Sequence, residues 1–209
     1  EFIVDISGVK LFRIKALIEF GNVKAGDLGG YIEKEKNLSH MGNAWVSGNA
    51  QVFGNARVFG NAWVSGDAQV FGNAWVSGNA QVSGNAWVFG DAQVFGNAQV
   101  FGNARVFGNA RVSGDAQVSG NAWVFGDAQV FGDARVSGDK DYAYAHGFGS
   151  CNRTTTFFRL KDGDVGVRCG CFYGTLAQFR DNVCETHGET KKAQEYLMLA
   201  DLMDFRFKN

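Results

Sequence analysis

A six-residue pattern of hydrophobic and polar positions repeats through nearly half of this chain. From Gly42 to Ser137 the sequence repeats Gly-(Asn/Asp)-Ala-x-Val-(Ser/Phe) sixteen times without an insertion or a deletion. The pattern predicts a short strand in each hexad, with Val and Ala pointing inward, because alternate side chains in a strand point to opposite faces. Gly followed by Asn or Asp predicts a turn at each corner, since these residues tolerate a positive φ.

A period of six with an invariant Val is typical of a parallel β-helix in which three hexads make one triangular coil. Sixteen hexads make about five coils, which stack to a height of roughly 25 Å at the usual strand spacing. We therefore predict three regions: an N-terminal cap with degenerate coils over residues 1–41, a regular β-helix over 42–137, and an α+β region over 138–209.

The residues that follow Val form three vertical columns, one on each face of the predicted prism. On the face that begins at Gly48, which we call the Phe face, the column is entirely aromatic: Phe53, Phe71, Phe89, Phe107 and Phe125. Trp87 and Trp123 precede Val on the same face. The Ser face, which begins at Gly42, carries Ser at every position except Phe101, and the mixed face alternates Phe and Ser.

This aromatic strip has two interpretations. Stacked identical side chains stabilise a β-helix by themselves. A continuous exposed aromatic strip is also larger than most soluble monomers show, which indicates an interface. We favour the interface, made of the five Phe together with Trp87 and Trp123, and the simplest partner is a second copy of the chain.

The two ends depart from the repeat. Ile32 and Leu38 keep a six-residue step but lie out of register with Val46, and segment 9–20 predicts one or two strands, or a strand that runs into a helix. These pieces are expected to cap the open first coil.

Beyond the last hexad, the pattern predicts a β-hairpin of strands 154–160 and 165–171, joined by an Asp-Gly turn. Two amphipathic helices follow, with Thr175 and Thr190 as N-caps.

Charge and cysteine content narrow the functional classes. The chain has 20 Lys and Arg against 21 Asp and Glu, so its net charge gives no sign of a nucleic-acid-binding surface. It shows no leader and no apolar run long enough for a membrane span, so we expect a cytoplasmic protein of the host bacterium with reduced thiols.

Four cysteines lie in the last third: Cys151, Cys169, Cys171 and Cys184. The C-x-C spacing differs from the usual zinc motif, so packing is favoured over a metal site.

The hexads resemble the hexapeptide-repeat left-handed β-helix superfamily. The left-handed sense of the coil is taken from that resemblance, because parallel crossovers otherwise turn right-handed. The best-known members are acyltransferases that use acetyl-CoA or another acyl donor. Residues 11–17, 21–33, 147–158 and 169–179 resemble a hexapeptide-repeat group common in phages and prophages, whose transferase label rests on the repeat alone.

A transferase of that kind requires a general base, usually His. The three histidines are His40, His146 and His187, and none lies in the sixteen hexads. His146 is the best candidate, although a surface role is the favoured interpretation for all three.

We therefore predict a non-catalytic scaffold or binding protein of phage or prophage type that needs no cofactor. It would act through a homodimer or homotrimer, or through a host or phage protein, for example by inhibiting a host system or sequestering a ligand. The alternative is a CoA-dependent acyltransferase with His146 as the base.

Overall fold

The chain folds as a long parallel β-solenoid that is closed at its C-terminal end by an antiparallel sheet and two helices. The structure, a computed structural model, describes residues 1–5 and 8–208. The first two strands are β1 (Phe2–Val4) and β2 (Lys10–Lys15). Eighteen solenoid strands follow: β3 (Leu28–Ile32), β4 (Leu38–Gly42), β5 (Trp45–Val46), β6 (Gln51–Val52), β7 (Arg57–Gly60), β8 (Trp63–Val64), β9 (Gln69–Val70), β10 (Trp75–Val76), β11 (Gln81–Val82), β12 (Trp87–Val88), β13 (Gln93–Val94), β14 (Gln99–Val100), β15 (Arg105–Val106), β16 (Arg111–Val112), β17 (Gln117–Val118), β18 (Trp123–Val124), β19 (Gln129–Val130) and β20 (Arg135–Val136). The C-terminal elements are β21 (Tyr142–Phe148), β22 (Arg153–Arg159), β23 (Val165–Cys169), β24 (Phe172–Thr175), α1 (Leu176–His187) and α2 (Lys191–Phe207).

Three stacks of parallel strands form the walls of the solenoid. The Phe face is an eight-stranded sheet in which β1 and β2 pair antiparallel, and the other six strands are β3, β6, β9, β12, β15 and β18. The mixed face runs from β4 to β19 and the Ser face from β5 to β20, with six strands each. The walls therefore make six coils.

The interior is as the repeat predicts. Every Ala and Val of the strict hexads is at most 4 % exposed, and each Val up to Val118 pairs with the Val eighteen residues later, as in Val88 with Val106. The predicted parallel β-helix is confirmed, and its handedness stays a prediction.

Glycine is required at the corners for two reasons, as Gly84 illustrates. Its φ is +66°, and the N–H of Ala86 donates to the carbonyl of Ser83 across the turn at 3.4 Å. A positive φ at the first central position is typical of a type II′ turn. A Cβ on Gly84 would also lie 3.0 Å from both N and O of Gly102 in the next coil. The glycine positions of successive coils are thus too close to admit a side chain without a shift of the backbone.

Asparagine side chains at the corners form hydrogen-bonded ladders along the solenoid. In the longest, Asn61 donates to Asn79 at 3.1 Å, Asn79 to Asn97 at 3.0 Å, and Asn97 to Asp115 at 2.9 Å. A carboxylate accepts but does not donate, so a ladder stops wherever an Asp occurs, whereas the ladder that begins at Asn85 stops at Asn121. The choice between Asn and Asp in the hexads therefore sets the length of these ladders.

The first coil contains two more residues than the strict coils. Leu38 pairs with Val58, twenty residues later, whereas Gly42 pairs with Gly60, eighteen residues later. A bulge in β4 between Leu38 and Gly42 absorbs the difference. This bulge accounts for the loss of register with Val46 that the sequence shows.

Segment 9–20 forms strand β2 and then a turn, so the alternative of a strand running into a helix is wrong. The N–H of Ala16 donates to the carbonyl of Asp27 at 2.9 Å, and Phe20 and Val23 form an antiparallel bridge. Residues 10–15 are extended and paired with strands on both sides, and the bridge at Phe20 closes a turn, so no helix forms in this segment.

The C-terminal region is a four-stranded antiparallel sheet in the order β21-β22-β23-β24. The two predicted strands and both helices are present, with Thr175 and Thr190 as N-caps that accept from the N–H groups of Gln178 and Ala193. The predicted hairpin is confirmed as β22 and β23, and two strands that the sequence does not predict, β21 and β24, extend it on both sides. These strands were missed because Tyr-Ala alternation and a four-residue segment give a weak strand signal.

Adjacent side chains of β22 divide the interior between two cores. Phe158 packs in the solenoid core, and Phe157 packs against the helices. Burial at the junction also raises the pKa of Tyr142 well above its usual range. The sheet is therefore a plug between the last coil and the helices.

The plug also satisfies backbone donors that the last coil leaves open. The carboxylate of Asp139 accepts from the N–H of Trp123 at 3.0 Å, and the hydroxyl of Thr156 accepts from the N–H of Gln129 at 2.9 Å. In the strict coils these donors bond to carbonyls of the following coil. Side-chain oxygens thus take the place of the carbonyl acceptors that a seventh coil would supply, and they close the sheet edge.

Within the described ranges, no helix is long and apolar enough to cross a membrane.

Replacing Gly84 with Ala should lower the free energy of unfolding by about 1–3 kcal/mol, because it places a Cβ at a positive φ against the next coil. Gly138→Ala is the control, since a Cβ there meets nothing within 4 Å. Urea unfolding followed by circular dichroism measures both. Equal stability of the two variants would contradict the close-packed corner.

Candidate functional surfaces: the aromatic face and the N-terminal clefts

The five Phe side chains of the Phe face form one continuous stack. Neighbouring ring centroids are 4.9–5.3 Å apart, and the ring planes lie within 13° of parallel. The last ring, Phe125, is 39 % exposed and the other four are half-buried. Stacked pairs contribute about 0.5–1.5 kcal/mol each beyond their buried area. The stack therefore stiffens the wall and also presents ring edges to solvent.

Two tryptophans and an arginine extend the stack sideways. The guanidinium of Arg105 lies 4.6 Å from the ring centroid of Trp87 and 5.0 Å from that of Trp123. Trp87 packs edge-on against Phe71, and Trp123 against Phe107, each at 6.2 Å. We call the five Phe with Trp87, Arg105 and Trp123 the aromatic plate. It contains the predicted interface residues in one surface, with a single charge held between two rings.

The plate is closed at its C-terminal end. Tyr144 of β21 packs edge-on against Phe125 at 5.8 Å, and Tyr173 of β24 closes the mixed face against Phe131 at 5.0 Å. Along the rest of its length, the outward surface of the plate is not covered by other described residues.

The other two faces lack an equivalent plate. On the Ser face, polar side chains bond to each other: Trp63 Nε1 donates to Ser47 Oγ at 3.1 Å, and Gln117 donates to Gln99 at 3.2 Å. On the mixed face, the aromatic pair Phe59 and Trp75 packs edge-on at 6.1 Å. The chain thus concentrates aromatic surface on one wall.

Two clefts flank the bulge of β4. The apolar cleft, of about 700 Å³, opens at the N-terminal end of the solenoid. Its apolar lining includes Ile14, Leu17, Ile18, Phe20, Ile32, Leu38 and Trp45. Leu17 and Ile18 are exposed at 87 % and 71 %, whereas Trp45 is buried and packs edge-on against Phe20.

The second cleft, which we call the Trp75 cleft, lies on the mixed face and has a volume of about 430 Å³. It is lined by Glu35, Lys36, Leu38, Ser39, His40, Arg57, Val58, Phe59 and Trp75. His40 Nε2 lies 3.2 Å from Glu35 Oε1, and both side chains are exposed. Glu35, Leu38, Ser39 and His40 line both clefts, so the bulge is their shared wall.

The sequence carried a signal for this bulge. The step from Leu38 to Val46 is eight residues instead of six, which places two extra residues near His40. The sequence favours a surface role for His40, and its motifs do not single out Glu35 or Arg57. A break in register within the first coil was the pattern that marked them.

His146 lies apart from both clefts. It is exposed on β21, and its Nδ1 is 2.9 Å from the hydroxyl of Thr154. It lines none of the three clefts found among the described residues.

The four cysteines are free thiols. Cys169 is partly buried, where it accepts a hydrogen bond from Thr155 at 3.2 Å and lies 3.7 Å from the hydroxyl of Tyr196. Burial raises the pKa of Tyr196, whose hydroxyl also bonds to the backbone of Ser150. Cys151, Cys171 and Cys184 are exposed. In residues 1–5 and 8–208, no group of three His, Cys, Asp or Glu side chains is placed to hold a metal ion.

Arg105→Gln should lower the free energy of unfolding by about 1 kcal/mol, because the guanidinium loses both tryptophan rings. Gln is the residue that this chain uses at the same position in Gln51 and Gln69, so the backbone is unaffected. The control is Arg111→Gln, on the mixed face, whose guanidinium has no ring partner among the described residues. Chemical unfolding measures both, and an equal loss in the two variants would contradict the sandwich.

Comparison with known families agrees with the coil. Residues 50–66, 80–96, 98–114 and 116–130 match the family described as the YdcK beta-solenoid repeat. No curated protein matches the chain. The matched segments all lie in the solenoid and cover about a third of the residues. The coils of this chain are therefore similar to the YdcK beta-solenoid repeat.

Proposed function

We propose that the protein is a non-catalytic β-solenoid scaffold that assembles with a second copy of itself through the aromatic plate. The observation that carries this proposal is the uninterrupted stack of five Phe rings beside the Trp87–Arg105–Trp123 sandwich. The ends of the chain resemble a phage and prophage group, which supports the same origin for this protein.

The spacing of the stack supports a second copy as the partner. The rungs repeat every 4.9–5.3 Å over about 20 Å, because each coil places its Phe directly over the previous one. A second plate has the same period, so two plates packed face to face match along their whole length. A two-fold interface of this kind uses the same patch on both copies.

The charge on the plate supports the same partner. Arg105 is its single charged residue, and its guanidinium is already held between Trp87 and Trp123. Two plates can therefore approach without an unpaired charge being buried between aromatic rings. The hydrogen-bonded Gln and Trp side chains of the Ser face offer no such surface.

Phe89→Ser should reduce the mass in solution from a multiple of 22.6 kDa to the monomer. Ser is the residue that this chain uses at the same hexad position on the other faces, so the coil tolerates it. Phe101→Ser is the matched control, because it removes the same ring from the Ser face and should leave the mass unchanged. Light scattering at micromolar concentration measures the mass. A wild-type protein that is strictly monomeric would contradict the proposal.

Acetyl-CoA at millimolar concentration should leave the thermal unfolding midpoint unchanged. The transferase alternative requires a base, and His146 lies exposed with Nδ1 against Thr154, outside the clefts of the described residues. A rise in the midpoint together with an acetyl transfer that His146→Ala abolishes would establish the transferase instead.

A further inference from the structure

We propose that the Trp75 cleft binds a small ligand that consists of a planar aromatic ring carrying an anionic group. This site lies on the mixed face, away from the aromatic plate, and its function is independent of self-assembly. It combines an exposed indole ring, two cations whose charged groups have no partner among the described residues, and a wall fixed by a buried asparagine.

The first observation concerns the surroundings of the Arg57 guanidinium. Arg57 pairs with Trp75 in the same register in which Arg105 pairs with Trp87 and Trp123. The guanidinium of Arg105 is held between its two rings. That of Arg57 has no ring, carboxylate or carbonyl partner within the described ranges, and it is exposed at the cleft. The same strand register thus places Arg105 between two rings on the Phe face, whereas on the mixed face it leaves the guanidinium of Arg57 able to contact a ligand.

The second observation is the exposure of Trp75. Its ring is 44 % exposed and packs edge-on against Phe59, with an angle of 79° between the ring planes. An edge-on contact leaves at least one broad face of the indole uncovered by Phe59. Exposed indole faces stack on planar rings, at about 1–3 kcal/mol for a nucleobase on an aromatic side chain.

The charged residues that line the Trp75 cleft favour an anionic ligand. Glu35 is placed against His40 at 3.2 Å, whereas Lys36 lacks a side-chain partner among the residues described. Lys36 and Arg57 both line the Trp75 cleft and a neighbouring cleft of about 550 Å³. The two clefts therefore share two cations in their linings, and these cations can bind a phosphate or carboxylate group.

The wall that carries Lys36 is fixed to the second coil. Asn37 is fully buried, and its side chain donates to the carbonyls of Gly54 at 3.2 Å and Ala56 at 2.8 Å. Its side-chain oxygen accepts from the N–H of Lys34 at 2.9 Å. The turn at Glu35–Asn37 is thus held in place, and a preformed cleft loses less entropy on binding. Its volume of about 430 Å³ lies in the range of small-molecule sites.

Isothermal titration of the whole protein tests the site with four probes. Adenosine 5′-monophosphate and 1-naphthoate each join a planar ring to an anion, one as a phosphate and the other as a carboxylate. Adenosine and inorganic phosphate supply the ring and the anion separately. At least one of the joined probes should bind about tenfold more tightly than adenosine or phosphate, and the better one identifies the anion.

The variants are Trp75→Gln and Arg57→Gln, and Gln occupies the same position of this face in Gln93 and Gln129. Each should weaken the better probe by about tenfold. The matched controls are Trp63→Gln, on the Ser face, and Arg111→Gln, on the mixed face, and both should keep wild-type affinity because neither residue lines the Trp75 cleft.

Two results would overturn the proposal: no binding of either joined probe, or equal affinity in the cleft variants and the controls. Phosphate binding as tight as that of the joined probes would also overturn it, because the ring would then contribute nothing. None of these results depends on the mass of the protein in solution, so this test and the test of self-assembly can fail separately.

Discussion

The structure depends on the hydrogen-bonded register that places each coil on the next with a shift of eighteen residues. Backbone donors of one coil bond to carbonyls of the following coil at nearly constant distances, as in Trp87 N to Ala104 O at 2.9 Å and Phe89 N to Val106 O at 3.0 Å. Because this register repeats without change through the strict hexads, any side chain that recurs every eighteen residues is stacked on its own kind. The Val interior, the Asn ladders and the Phe stack are three consequences of one constraint.

The same constraint explains how much of the molecule the sequence predicts. Within the hexads, position in the repeat determines the face, so the buried Ala and Val and the membership of the Phe face follow from counting. The contact of Arg105 with two tryptophans does not, because it depends on the rotamers of three long side chains. The N-caps Thr175 and Thr190 are predictable, since capping is local chemistry.

The regions outside the repeat are harder to predict for physical reasons. Strands β21 and β24 are defined by their neighbours in the sheet more than by their own residues, so their propensity is weak. The Trp75 cleft joins Glu35 and His40 of the first coil to Arg57 and Trp75 of later coils. The register break was visible in the sequence, but the cleft required the bulge to be placed in space.

The two ends of the solenoid are treated differently. At the C-terminal end, side-chain oxygens of Asp139 and Thr156 replace a following coil, and a packed sheet covers the Val interior. At the N-terminal end, the bulged first coil leaves open clefts beside it. The proposed assembly surface, on the side of the solenoid, is therefore separate from the proposed ligand site near its N-terminal end.

Hydroxyl-radical footprinting of the aromatic rings, at dilute and at concentrated protein, tests most directly whether the aromatic plate is a contact between copies. If the plate is such a contact, Phe71, Phe89 and Phe107 become protected as the concentration rises, while Phe95 and Phe101 on the other faces are oxidised equally at both concentrations. Equal oxidation of the Phe-face rings at both concentrations, in a protein that remains folded, would contradict it.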